Sequence, residues 1–260
     1  MNFTRILYGQ EARKVTITLN RPEKRNALDE EMVAELTNAF QGAARDPSAK
    51  VILLKGAGPA FCAGADLEYL RRIAEQSLEE NRADSGKLAT LFRTMYEVRK
   101  PVIAVVHGPA LAGGCGLATV CDFILAGEML SQFGYTEARI GFVAAIVMAF
   151  LIRRVGEGRA RELTLGGHLL NAREAYDAGL VSAVVPDKDL NGAAEQLADR
   201  LCTQNSGTSM AFTKELIARL GGLNLLDALD FASNMNAAAR MTPDCRQGID
   251  AFLQHKTNTW

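Results

Sequence analysis

An unbroken apolar run, Val102-Ile103-Ala104-Val105-Val106, leads straight into His107-Gly108-Pro109-Ala110-Leu111-Ala112-Gly113-Gly114-Cys115-Gly116-Leu117-Ala118. A β-type run without polar alternation reads as a strand covered on both faces. Gly108-Pro109 then turns the chain, and Gly113-Gly114 opens a segment of helical character. A strand, a glycine turn and a helix start leave backbone N–H groups unpartnered at the positive end of a helix dipole. Such a place suits an anion or a developing oxyanion. Gly113-Gly114 also lets the backbone approach a ligand closely, because no Cβ intervenes. Tight turns and helix–sheet packing explain the same glycines equally well. A dinucleotide fingerprint fits poorly, since Thr119 stands where its third small residue should be.

The rest of the chain supplies a frame for that stretch. Lys14 to Leu19 (KVTITL) places β-branched residues at alternate positions and predicts a strand. Asp29 caps a predicted helix to about Arg45, with Met32, Val33, Leu36 and Phe40 on one face. Val51 to Leu54 predicts a short strand covered on both faces, followed by a glycine-bearing loop, Phe61-Cys62-Ala63-Gly64-Ala65-Asp66-Leu67. Residues 68–86 are charged and read as a surface segment, ahead of a helix over Lys87 to Val98. Strands are expected at Val102 to Val106, Asp122 to Ala126 and Val181 to Val185. From Asp189 onward the pattern is helical, with breaks near Asn205-Ser206-Gly207, Gly221-Gly222 and Thr242-Pro243. Strand–helix–strand alternation with short links implies βαβ crossovers, hence an α/β protein with a mostly parallel sheet.

Composition removes several classes of function. A hydrophobic content of 48% with 23% charged residues fits an ordinary soluble chain, and the net charge of −1 gives no basic footprint for nucleic acid. Cys62, Cys115, Cys121, Cys202 and Cys245 form no CxxC pair, and histidines are few. Neither a zinc site nor a disulfide framework is expected, and buried reduced thiols are the plain reading. The N-terminus lacks an apolar signal core. The longest apolar stretch, Gly141 to Ile152, is too short to span a bilayer. A cytoplasmic location without membrane attachment is the expectation.

One further residue bears on chemistry. Glu137 follows Gly134-Tyr135-Thr136 in a polar link between an apolar strand and an apolar helix. Partial desolvation at such a junction raises a carboxyl pKa and suits it to proton transfer. Pairing with Arg139, or capping of the next helix, is the bland alternative.

The set Asn20-Arg21-Pro22-Glu23-Lys24-Arg25-Asn26-Ala27-Leu28, Phe61-Cys62-Ala63-Gly64-Ala65-Asp66-Leu67, Gly113-Gly114-Cys115-Gly116-Leu117-Ala118 and Cys121-Asp122 resembles the crotonase superfamily, the enoyl-CoA hydratase/isomerase family. The resemblance runs from the first strands to Trp260. It implies a crotonase-type spiral of repeated ββα units over residues 1–195, carrying a CoA-thioester site, and a C-terminal helical region over 196–260 that builds a homotrimer or a dimer of trimers. The expected partners are an acyl-CoA thioester and further copies of the chain. Coenzyme A enters as part of the substrate, with no separate cofactor and no metal.

The resemblance also implies roles. Ala65 and Gly113 are similar to the two oxyanion donors that grip the thioester carbonyl, and Glu137 is similar to a catalytic glutamate. Lys24, Arg25 and Ala27 lie in a segment that runs beside CoA. Ala63, Asp66 and Leu67 fall near the adenine-binding loop, and Gly114 lies next to the donor loop. His255 and Lys256 match a basic C-terminal stretch able to reach a neighbouring subunit's CoA. Gly116 departs from the pattern, because two-glutamate hydratases carry their first glutamate there. A single carboxyl group therefore remains. Hydration of a short or branched 2-enoyl-CoA, with Glu137 relaying both proton transfers, is the first reading. A Δ3,Δ2-enoyl-CoA isomerase using the same glutamate is the runner-up, and a non-catalytic acyl-CoA-binding protein is a third possibility. Small residues at Ala144 and Ala145, with Met148, point to a short or branched acyl chain.

Overall fold

The computed structural model describes residues 3–260. The KVTITL segment is β2 (Lys14–Leu19), paired antiparallel with β1 (Ile6–Glu11). Its alternate residues Val15, Ile17 and Leu19 are fully buried, as a period of two requires. Helix α1 (Glu30–Arg45) starts at Asp29, whose side chain accepts the Met32 N–H at 2.8 Å. It buries Met32, Val33, Leu36 and Phe40 along the predicted stripe. There follow β3 (Val51–Gly56), α2 (Leu67–Ala74), α3 (Leu78–Glu97), β4 (Val102–Val106), β5 (Pro109–Leu111), α4 (Gly113–Val120), β6 (Phe123–Gly127) and β7 (Gln132–Gly134). A 3₁₀ turn at Glu137–Ile140 leads to α5 (Ala145–Gly166), β8 (Leu170–Asn171), α6 (Ala172–Asp177) and β9 (Ala183–Val185). Four helices close the chain: α7 (Leu190–Gln204), α8 (Gly207–Leu220), α9 (Leu225–Arg240) and α10 (Pro243–Leu253).

Two sheets organise these elements. The larger has six strands in the order β1-β2-β3-β4-β6-β9 and is parallel beyond the first pair; the smaller is β5-β7-β8. Each time the chain leaves a strand of the large sheet at β4 and β6, it adds one to the small sheet before entering a helix. That is the expected ββα spiral. β4 is buried throughout: Val102, Ala104 and Val106 face the main core, while Ile103 and Val105 pack with Leu190, Ala194 and Ala198 of α7 on the other face. Burial on both sides explains its lack of polar alternation.

Some expectations needed correction. Residues 68–86 lie at the surface as predicted, but the helix expected from Lys87 already starts at Leu78, because Ser77 and Glu80 form a capping box there. The three-residue strands β5 and β7 and the two-residue β8 carry no periodic signal long enough to read. Residue 195 lies within α7, which buries residues on the large sheet on both sides of that point. The helical hairpins begin only at α8. Lys214 of α8 docks them, its Nζ lying 2.6 Å from Asp122 Oδ2 and 3.0 Å from the Lys100 carbonyl. All five cysteines are free, and all but Cys245 are buried. Among the described residues no helix is long and apolar enough to cross a membrane.

Candidate active site

The site is built where the loop after β3 meets the β5–α4 turn. Cys62 N–H donates to the Pro109 carbonyl at 3.1 Å, and Leu111 N–H donates to the Cys62 carbonyl at 2.9 Å. Gly114 sits hard against this seam: a Cβ there would stand 2.2 Å from the Cys62 carbonyl oxygen. Gly64 adopts φ +95, and a Cβ on it would lie 3.0 Å from Ala112 Cβ and 3.7 Å from the Gly113 nitrogen. Only glycine serves at either position.

Ala65 is aimed by a parallel bridge to Leu28. Leu28 N–H donates to the Gly64 carbonyl at 2.7 Å, and Leu28 accepts from Asp66 N–H at 2.9 Å. The residues flanking Ala65 supply those bonds, so its own N–H points away from Leu28. Gly113 is the first residue of α4, where intrahelical partners do not exist. Among the described residues neither the Ala65 nor the Gly113 N–H has a backbone partner. The two loops touch, so two free backbone donors lie on neighbouring segments. Directly before Gly113, Ala112 is held at φ 47, ψ −124, with its N–H donating to the Gly134 carbonyl at 2.7 Å. A non-glycine residue in that region is strained.

Glu137 approaches from the small sheet. Leu111 of β5 lies opposite Gly134 of β7 in a parallel pair, so Ala112-Gly113 and Tyr135 to Glu137 leave the same end of it. Glu137 is 8% exposed, and its Oε2 is buried with no hydrogen-bond partner. Burial raises its pKa above the ordinary carboxyl value, its own backbone N–H acting in the opposite sense. Among the described residues Arg139 does not pair with it. Burial also pushes the Cys115 thiol up to about 12, and the nearby Glu137 charge acts in the same direction. A buried polar chain underlies the pair: Thr119 Oγ1 donates to the Cys115 carbonyl at 2.8 Å and meets the Tyr135 hydroxyl at 2.5 Å.

Gly116 faces a closed wall. A Cβ there would stand 2.3 Å from Val147 Cγ2 and 3.1 Å from Phe92 Cζ. Apolar side chains from α5 and α3 thus fill the direction in which a first glutamate would project. Sequence reasoning could notice that Gly116 is not glutamate; it could not see what replaces the side chain.

The expected CoA-side residues separate into groups. Ala63 N–H donates to the Arg25 carbonyl at 3.0 Å, which ties the 20–28 segment to the loop carrying Ala65. Lys24 and Arg25 are exposed, and Lys24 Nζ lies 2.9 Å from Glu68 Oε1. Leu67 is 75% exposed at the start of α2, and Ala27 is buried beneath. Asp66 is 5% exposed; its carboxylate caps α2 through Glu68 N–H and lies 3.0 Å from Arg21 Nη2. Although burial acts to raise its pKa, the Glu68 N–H and the Arg21 guanidinium outweigh that and hold it below the usual value. His255 and Lys256 are exposed beyond α10, with backbone bonds only to Phe252 and Ala251. Arg21 and Ala112 were not singled out by sequence; a positive φ and a buried guanidinium leave no trace in residue type. A cavity of about 1060 Å³ lies elsewhere, between the core and the C-terminal helices, lined by residues including Tyr96, Phe150, Lys214 and Trp260.

Comparison with known proteins is consistent along the whole chain. The profile described as "Enoyl-CoA hydratase/isomerase" matches residues 10–260. A Thermus thermophilus protein provisionally named an enoyl-CoA hydratase is 43% identical over 92% of this chain and 94% of its own length. The 2,3-dehydroadipyl-CoA hydratase of Escherichia coli is 34% identical over 97% of this chain and 96% of its own length. The crystal structure of an enoyl-CoA hydratase from Mycobacterium smegmatis superposes with a TM-score of 0.93 at 32% identity, covering 99% of both chains.

Proposed function

The chain belongs to the enoyl-CoA hydratase/isomerase family of the crotonase superfamily, which acts on acyl-CoA thioesters, and from that premise we propose that it hydrates the 2,3 double bond of a short or branched 2-enoyl-CoA. The observation that carries this reading is Glu137: a buried carboxyl with an unpartnered oxygen, beside two loops with free N–H donors. The thioester oxygen sits between Ala65 N–H and Gly113 N–H, which hold the charge as the enolate develops. Glu137 takes a proton from water as the water oxygen bonds to C3, and returns a proton to C2. The raised pKa suits a group that must both accept and give a proton near neutrality. The C2=C3 π bond is exchanged for a C3–O and a C2–H bond, one water is consumed and nothing is oxidised or reduced, so the step calls for no separate cofactor. The two small residues at the head of α5, Ala144 and Ala145, support a short or branched acyl group. The Phe142 N–H anchors that segment, donating to the Glu137 carbonyl at 3.0 Å. Buried free thiols fit a cytoplasmic setting.

A second reading has its own observation. The apolar closure of Gly116 by Val147 and Phe92 leaves no second carboxyl there to orient water. Removing a C2 proton from a 3-enoyl-CoA and returning it to C4 needs neither water nor that second group. One experiment separates the readings: crotonyl-CoA and a 3-enoyl-CoA are offered in oxygen-18 water and the products weighed by mass spectrometry. Hydration puts heavy oxygen on C3 of the product. Conversion of the 3-enoyl to the 2-enoyl isomer without oxygen uptake would make this an isomerase. Glu137→Gln should then lower kcat by on the order of 10²–10⁴-fold while substrate affinity is kept. Unchanged turnover in that variant removes Glu137 from the chemistry.

A further inference from the structure

Arg21 is 8% exposed and spends its guanidinium on three acceptors from two separate pieces of chain. Nη1 donates to the Ala27 carbonyl at 2.7 Å and lies 3.1 Å from Asp29 Oδ2; Nη2 donates to Asp66 Oδ2 at 3.0 Å. Its backbone is fixed as well, with the N–H donating to Asn26 Oδ1 at 2.9 Å and the carbonyl accepting from Asn26 N–H at 2.9 Å. The three acceptors are not arbitrary. Ala27 precedes Leu28, Asp66 follows Ala65, and Leu28 with Ala65 forms the bridge that turns the Ala65 N–H outward. Asp29 and Asp66 are in addition the caps of α1 and α2. One planar, always-charged group therefore locks both sides of the bridge in a fixed fork, a task an ammonium cannot copy. Sub-ångström drift of the bridge would rotate the Ala65 donor away from the carbonyl oxygen it serves.

We propose that Arg21 is a positioning residue for the oxyanion hole, aiming the Ala65 N–H by clamping Ala27 and Asp66 on either side of the Leu28–Ala65 bridge. The assignment rests on the reading of Ala65 and Gly113 as oxyanion donors. It differs from a merely stabilising ion pair in what it alters: the polarisation of a bound thioester carbonyl.

The test uses the full chain with butyryl-CoA labelled with carbon-13 at the thioester carbonyl, a saturated ligand that is not turned over. The infrared carbonyl band of the bound label is compared in the parent protein, Arg21→Met and Arg21→Lys, with folding checked by circular dichroism. The parent is expected to shift the band to lower frequency, Arg21→Met to lose most of that shift, and Arg21→Lys to lose part of it. On the active substrate, kcat of Arg21→Met should fall on the order of 10²-fold with KM changed only a few-fold. A folded Arg21→Met that keeps the full band shift overturns the proposal and leaves the oxyanion reading standing. A parent protein that shifts the band not at all overturns the oxyanion reading instead. If Arg21→Met does not fold, Asp66→Asn takes its place: a partial loss of the shift supports the clamp, and an intact shift refutes it.

Discussion

A buried carboxyl with an unpartnered oxygen costs stability whenever it is ionised, and Glu137 is such a group. Its pKa in the folded chain lies above the usual 4.5, so the folded state holds that proton more tightly than the unfolded state. The stability it contributes is present below the ordinary value and is lost as pH rises through the raised one. Glu137→Gln removes that loss. We expect the variant to melt above the parent near pH 8, with the gap closing as the pH falls toward the ordinary carboxyl value. Calorimetry across that range checks it, and a gap independent of pH would contradict the account. The same substitution is expected to abolish most turnover, so at this residue stability and activity oppose each other.

At the scale of elements, the strand β5, the turn and the helix α4 work as one device. Its strained joint is Ala112, at φ 47 and ψ −124, placed directly before the Gly113 donor. Strain of this kind costs roughly 1–3 kcal/mol, and glycine would relieve it at an entropic cost of about 0.5–1 kcal/mol. Ala112→Gly should therefore raise the urea midpoint by the equivalent of about 1 kcal/mol, while Ala112→Val, β-branched, should lower it. Were both variants to unfold like the parent, the turn would be unstrained in solution. Elements with strong local signals were legible without the fold: α1 shows its cap at Asp29 and its apolar stripe, and β4 its uninterrupted apolar run. β5, β7 and β8 were not legible, because two or three residues owe their strand character to the partner and not to their own pattern.

The whole molecule buries the centre of its large sheet, β3 and β4, on both faces, yet leaves an apolar surface on its last helices. Leu225, Leu226 and Leu229 of α9 are 73%, 78% and 58% exposed, and Phe252 and Leu253 of α10 are 80% and 69% exposed. A concentration of this kind on adjacent helices is what an association surface looks like. The homo-oligomer expected from the family resemblance would cover it. Leu226→Glu combined with Phe252→Glu should shift the sedimentation coefficient to a smaller species while leaving the far-ultraviolet circular dichroism unchanged. An unaltered oligomer would place the contacts elsewhere.

Residue order alone determined the glycine-bearing loops and the α/β alternation, because glycine spacing, capping residues and hydrophobic period are local properties of a chain; the expected roles of Glu137 and Gly116 came from the family resemblance. Tertiary structure decided what those residues face. Asp66 became a partner of Arg21, Gly116 was sealed by Val147 and Phe92 from two distant helices, and Glu137 was left with no partner for Oε2. Each outcome depends on which side chains meet across long separations in sequence. Burial and electrostatics, which set the chemistry of a carboxyl group, exist only after that meeting.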